Sequence, residues 1–79
     1  MVENGTQRVF GQVVREARLK AGFSLEELAD LAELHRTYVS LLERGERNPS
    51  LLVVTAIAGA LGMKTSALVV AMEAYPRRR

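Results

Sequence analysis

The sequence, 79 residues long, predicts an all-α fold: five short helices packed as one compact bundle. Three observations carry that prediction. Apolar residues recur at spacings of three and four, as on one face of a helix. Serine or threonine caps alternate with glycines at helix-length intervals. No run alternates apolar and polar residues as a half-buried strand would.

Each element has its own warrant. Phe10, Val13, Val14 and Ala17 share one helix face, and Gly22 suits the left-handed residue after a last turn, which gives a first helix over about 7–20. Ser24 followed by Glu27 is a capping box, the serine oxygen taking a backbone N–H and the glutamate reaching back. A second helix over about 25–31 follows, burying Leu28 and Ala29. His35 or Arg36 opens a third, with Val39 and Leu42 inward and Gly45 at its end. Asn48-Pro49-Ser50 reads as turn and cap, since proline restricts the residue before it and serine favours a helix start. The fourth helix then runs from Leu51 to Leu61, closed by Gly62. Thr65 or Ser66 caps a fifth that reaches about Tyr75, where Pro76 stops it. The domain is expected over 6–75, with residues 1–5 loose and 76–79 a loose basic tail.

Composition bounds the function. A chain this short buries only about 60–65% of its unfolded surface, so help such as a partner subunit is expected. Without cysteine and with one histidine there is no disulfide framework and no metal-ligand cluster. No metal or other cofactor is expected. Glu3, Arg8, Arg15, Glu16, Arg18 and Lys20 interrupt the first twenty residues, so they lack the apolar core of a signal peptide, and a reducing cytoplasm is the expected compartment. The net charge of +2 owes three of its eleven basic residues to Arg77, Arg78 and Arg79; the other 76 residues hold eight basic against nine acidic. Affinity for nucleic acid must therefore be argued from where the basic residues sit.

Helices two and three, short and joined by a tight turn, with Arg36-Thr37-Tyr38 at the start of the second, form a helix-turn-helix pattern. From about Phe10 to Leu68 the chain resembles the phage-repressor/Cro-like (Xre-like) DNA-binding domains, through "VVREARLKAGFSLEELADLA", "HRTYVSLLERGERNPSL" and "IAGALGM". Within that family it looks most like the controller proteins of restriction–modification systems. The resemblance implies a lambda-repressor-like fold and makes helix three the recognition helix, laid in the major groove of double-stranded DNA.

On that reading Arg36, Thr37, Tyr38 and Ser40 face the bases. Arg36 can give two parallel hydrogen bonds to guanine O6 and N7, the alternative being a solvated surface arginine. Thr37 offers a hydroxyl and a methyl, or serves the helix start. Tyr38 lies along the DNA in the resembling controllers, or packs against a neighbouring helix. Ser24, His35, Arg47 and Asn48 are assigned to the DNA backbone, where contacts give affinity without sequence information. Arg18 and Glu43 match a pair that ties helix one to helix three in the resembling domains. Three positions depart from the family pattern: Leu25 replaces a phosphate-binding glutamine, Glu33 takes a turn position where glycine is common, and Leu41 stands where some phage repressors place a base-contacting glutamine.

From Asn48 to Met72 only Lys64 is charged. Helix four is apolar on two faces: Leu51, Val54, Ile57, Ala58 and Leu61 are expected in the core, which leaves Leu52, Val53, Ala56 and Ala60 uncovered. A membrane span fails on length, since the apolar run Leu51–Met63 is broken by glycines and meets Lys64. A homodimer is favoured, with Leu52, Val53, Ala56 and Ala60 of helix four and Val69, Val70 and Met72 of helix five against their symmetry mates. Its two-fold axis would match a palindromic operator. RNA polymerase is a further partner if the operator lies just upstream of a promoter; no membrane and no small-molecule ligand are expected. The leading function is sequence-specific transcription regulation by a homodimer. The rival is an antitoxin-like module that binds a partner protein and regulates its own operon. An enzyme is not expected, for no nucleophile stands with a base and no glycine loop could cradle phosphate.

Overall fold

The computed structural model describes residues 5–76 and is helical, with no strand among them. Its helices are α1 (Gly5–Ala21), α2 (Leu25–Ala32), α3 (Arg36–Glu43), α4 (Leu51–Ala60) and α5 (Thr65–Ala74). α1 lies against α3 and α5, α2 against α3 and α4, and α4 against α5.

Every helix contributes to one core. Phe10, Val13 and Val14 come from α1, Leu28, Ala29 and Ala32 from α2, Val39 and Leu42 from α3, Ile57 and Ala58 from α4, and Leu68 from α5. Burying each large aliphatic side chain contributes about 1.5–3 kcal/mol, which offsets the conformational entropy lost by so short a chain. α1 and α3 approach so closely at Gly11 that a Cβ there would stand 2.4 Å from the Leu42 carbonyl oxygen. At the far end of α1 the half-buried Tyr75 hydroxyl donates to Glu16 Oε2 at 3.3 Å, which ties the end of α5 to α1. Desolvation and the Glu16 charge together raise the Tyr75 pKa above its ordinary value.

The structure corrects four sequence expectations. α1 begins at Gly5, which is therefore helical and not loose, and runs to Ala21; its polar first turn continues the backbone bonding without an apolar partner. The N-cap of α5 is Lys64, neither Thr65 nor Ser66, and it makes no side-chain cap bond. The preceding turn decides this, because Gly62 is left-handed (φ 72°) and the Met63 N–H closes on the Ala58 carbonyl at 2.8 Å, so the chain is extended at Lys64 and Thr65 is already helical. Leu51, the first residue of α4, is 75% exposed and outside the core; Val54 and Leu61 are partly buried. The supposed outer face of α4 is also divided: Leu52 is exposed, whereas Val53, Ala56 and Ala60 already pack in part on the chain's own core, as does Met72 of α5.

No single helix among the described residues is long and apolar enough to cross a membrane; α4 and α5 would qualify only as a pair, and they meet at 98°. The assigned basic tail, Arg77–Arg79, lies outside the described residues.

Candidate nucleic-acid interface

The entry into α3 is set by the turn before it. Ser24 caps α2 through the full capping box, its Oγ accepting from the Glu27 N–H at 3.0 Å and its own N–H donating to Glu27 Oε1 at 2.8 Å. At the other end Glu33 is left-handed (φ 59°), the one described non-glycine residue with positive φ. The Leu34 N–H then closes on the Ala29 carbonyl at 2.8 Å, and Leu34 packs on the core. His35 is extended and occupies the N-cap of α3 without a side-chain cap bond, so its imidazole is not used by the helix start.

The exit from α3 is equally defined. Gly45 is left-handed (φ 77°), its N–H bonding the Leu42 carbonyl at 3.0 Å while the Glu46 N–H reaches the Leu41 carbonyl at 2.9 Å, a Schellman motif. Arg47 and Asn48 follow as exposed loop residues. Arg47 donates to the Glu46 carbonyl at 2.9 Å, and Arg44 is paired with the Glu46 carboxylate at 2.9 Å.

Between these turns α3 divides into two faces. Val39, Leu42 and Glu43 are buried; His35, Arg36 and Thr37 are exposed, with Tyr38, Ser40 and Leu41 partly so. Positions 36, 37, 40, 41 and 44 form one stripe at helical spacing, which places Arg36, Thr37, Ser40 and Arg44 together. Tyr38 stands at the margin of that stripe, its ring against the core. Eight helical residues are about 12 Å long, close to the width of the major groove.

One buried contact fixes the orientation of this face. Arg18 Nε donates to Glu43 Oε2 at 2.8 Å and Nη2 to Oε1 at 3.0 Å, a bidentate pair. Nη1 donates to the Phe23 carbonyl at 2.9 Å, so one guanidinium links α1, α3 and the turn into α2. The hydrogen bond to Glu43 raises the Arg18 pKa further above the physiological range, against the opposing effect of burial. No described buried side-chain nitrogen or oxygen lacks a hydrogen-bond partner.

Sequence reasoning missed two members of the surface. Arg44 extends the basic stripe by one turn, and the i, i+4 spacing from Ser40 could have shown it. Glu26, at the start of α2, has a carboxylate oxygen 3.9 Å from Arg36 Nε. Nothing local in the sequence marks that pair, because it spans two helices. Ser24, assigned to the DNA backbone, has its acceptor engaged by α2 while its hydroxyl hydrogen remains available to an outside oxygen. No described group of three or more His, Asp or Glu side chains is placed to hold a metal ion.

Two short helices locked at a fixed angle, the second with a buried apolar side and an exposed polar, arginine-bearing edge, define a helix-turn-helix DNA-binding domain. Residues 14–68 match the helix-turn-helix family model, and the chain belongs to that family, the phage-repressor/Cro-like (Xre-like) DNA-binding transcription regulators. It is 48% identical over 62 residues to control protein C.BamHI of Bacillus amyloliquefaciens, covering 77% of this chain and 76% of that one. Its fold is similar to the crystal structure of the restriction-modification controller protein C.AhdI from Aeromonas hydrophila, with a TM-score of 0.77 and 44% identity over 78% of this chain and 94% of the other. The clp gene regulator ClgR from Corynebacterium glutamicum superposes with a TM-score of 0.83 at 26% identity, over 86% of this chain and 72% of that one.

Proposed function

We propose that this chain is a homodimeric, sequence-specific transcription regulator that binds a palindromic operator and controls its own gene as a restriction–modification controller. The observation that carries the reading is the exposed edge of α3, with Arg36, Thr37 and Ser40 outward, held at a fixed angle by the buried Arg18–Glu43 pair. Arg36 reads a guanine through two parallel bonds and Thr37 and Ser40 meet adjacent base edges, while Tyr38, half-buried with its ring on the core at the margin of the stripe, turns only its hydroxyl edge to the strand. His35, Ser24, Arg47 and Asn48 meet phosphate. The similarity to C.BamHI and C.AhdI supports the controller assignment.

Leu52 on α4 and Val69 and Val70 on α5 are exposed, and a second copy of the chain is the cover proposed for them. The dimer presents two α3 helices about 34 Å apart, one turn of DNA. Bound over a promoter it excludes polymerase; bound just upstream it can recruit it.

The test is fluorescence anisotropy with the duplex from just upstream of the chain's own gene and a scrambled control, across a salt series. Preference for the native duplex that persists at physiological salt supports the reading. Equal binding to both that vanishes with salt reduces the interaction to phosphate contacts and overturns it. The exposed Leu51 and Leu52 equally suit an antitoxin-like contact with a different protein, and light scattering separates the two: a dimer supports the first reading, a monomer the second.

A further inference from the structure

Arg36 does not stand alone on its surface. It is the first residue of α3, and Glu26 lies in the first turn of α2; their side chains converge on a groove of about 340 Å³ that Ala29, Asp30, Leu34 and His35 also line. The approach is made at one edge of the guanidinium, Nε to Glu26 Oε2 at 3.9 Å. With side chains 60% and 76% exposed, such a pair contributes almost nothing to folding. Its consequence lies in what it does to the arginine. A carboxylate on the Nε side leaves the Nη1 and Nη2 edge free, and two parallel N–H donors are what guanine O6 and N7 require. The same carboxylate lowers the local positive charge, so that Arg36 is a poorer partner for a phosphate, which any sequence offers.

We propose that Glu26 is a positioning residue for base reading: it orients the Arg36 guanidinium with its paired Nη donors outward and suppresses the use of Arg36 as a general phosphate anchor. The inference rests on the base-reading role given to Arg36 above. Glu26 thereby determines specificity without touching a base.

The experiment uses the full chain and the tightest-binding duplex that it selects from a randomised pool, the same duplex with each G·C pair replaced in turn, and an unrelated duplex. Anisotropy gives the ratio of specific to unrelated binding for the wild type, Glu26→Gln, Arg36→Ala and the double variant, with thermal melting of each. Glu26→Gln is expected to lower that ratio about 3- to 5-fold, the range that one exposed ion pair can supply, through weaker discrimination at one G·C pair and tighter unrelated binding, with unchanged melting. In the Arg36→Ala background the same change is expected to have no effect on the ratio. If Glu26→Gln leaves the ratio unchanged while Arg36→Ala lowers it, base reading stands and the role of Glu26 is overturned. An equal loss from Glu26→Gln with and without Arg36 also overturns it, since Glu26 then acts independently. If Arg36→Ala itself leaves the ratio unchanged, the base-reading role falls and takes the inference with it.

Discussion

The buried Arg18 side chain ties α1 to α3 and to the turn before α2, and so fixes how the exposed face of α3 is presented. Its guanidinium satisfies a carboxylate and a carbonyl from two other parts of the chain, and the charges are held 2.8 Å apart out of solvent. Removing one partner strands the other, so Glu43→Ala is expected to destabilise the domain by about 3–5 kcal/mol. Replacing both, as Arg18→Met with Glu43→Leu, should restore most of that loss, because no uncompensated charge remains. Urea unfolding of the single and double variants measures the difference; equal losses in both would mean that packing, and not charge, holds α1 to α3. The resemblance already pointed to this pair from the sequence. The third bond, to Phe23, was not readable there, because a carbonyl carries no residue signature.

At the level of helices and turns, two backbone positions make opposite predictions. Glu33 holds a left-handed conformation (φ 59°) that disfavours a side chain by roughly 1–2 kcal/mol. Glu33→Gly should therefore stabilise the domain, by about 0.5–1 kcal/mol after the greater flexibility of glycine in the unfolded chain is deducted, and shift the urea midpoint upward. A lower midpoint would show that the Glu33 side chain contributes more than its backbone costs. Gly11 is the reverse case. A Cβ there would meet the carbonyl oxygens of Leu42 and Glu43 at 2.4 and 2.6 Å, and neither backbone atom can move without separating α1 from α3. Gly11→Ala is expected to cost on the order of 1–3 kcal/mol and to lower DNA affinity along with the melting temperature. Wild-type stability in that variant would refute the close helix contact. The left-handed turn at Glu33 was foreshadowed by a position where the resembling family commonly has glycine; the tight spot at Gly11 was not, since a glycine inside a helix gives no hint of what crosses it.

For the molecule as a whole, the open matter is the surface that its own core leaves uncovered. The single chain measures 34 × 21 × 20 Å and exposes Leu52 (79%), Val70 (61%) and Val69 (42%). If a second copy covers them, Leu52→Glu places a charge in an apolar interface and should give a folded monomer by sedimentation. Operator affinity should fall sharply with it, because two linked half-sites become one. A dimer that survives the change with full operator affinity would exclude this face as the interface.

The sequence by itself determined the helices, the serine caps of α2 and α4 and most of the core, because helical spacing, serine caps and terminal glycines act within a few residues of one another. Its motifs also carried the family, through which α3 was read as the recognition helix. Tertiary structure alone decided the rest. It left Leu51 outside the core despite its favourable spacing, since periodicity fixes the face of a helix but not how far a neighbour extends along it. It made Lys64 the cap of α5 because the Gly62 turn, and not the identity of Thr65 or Ser66, fixed where the helix could begin. It brought Glu26 beside Arg36, a meeting that depends on the angle between two helices, and that angle is set by packing across the whole core.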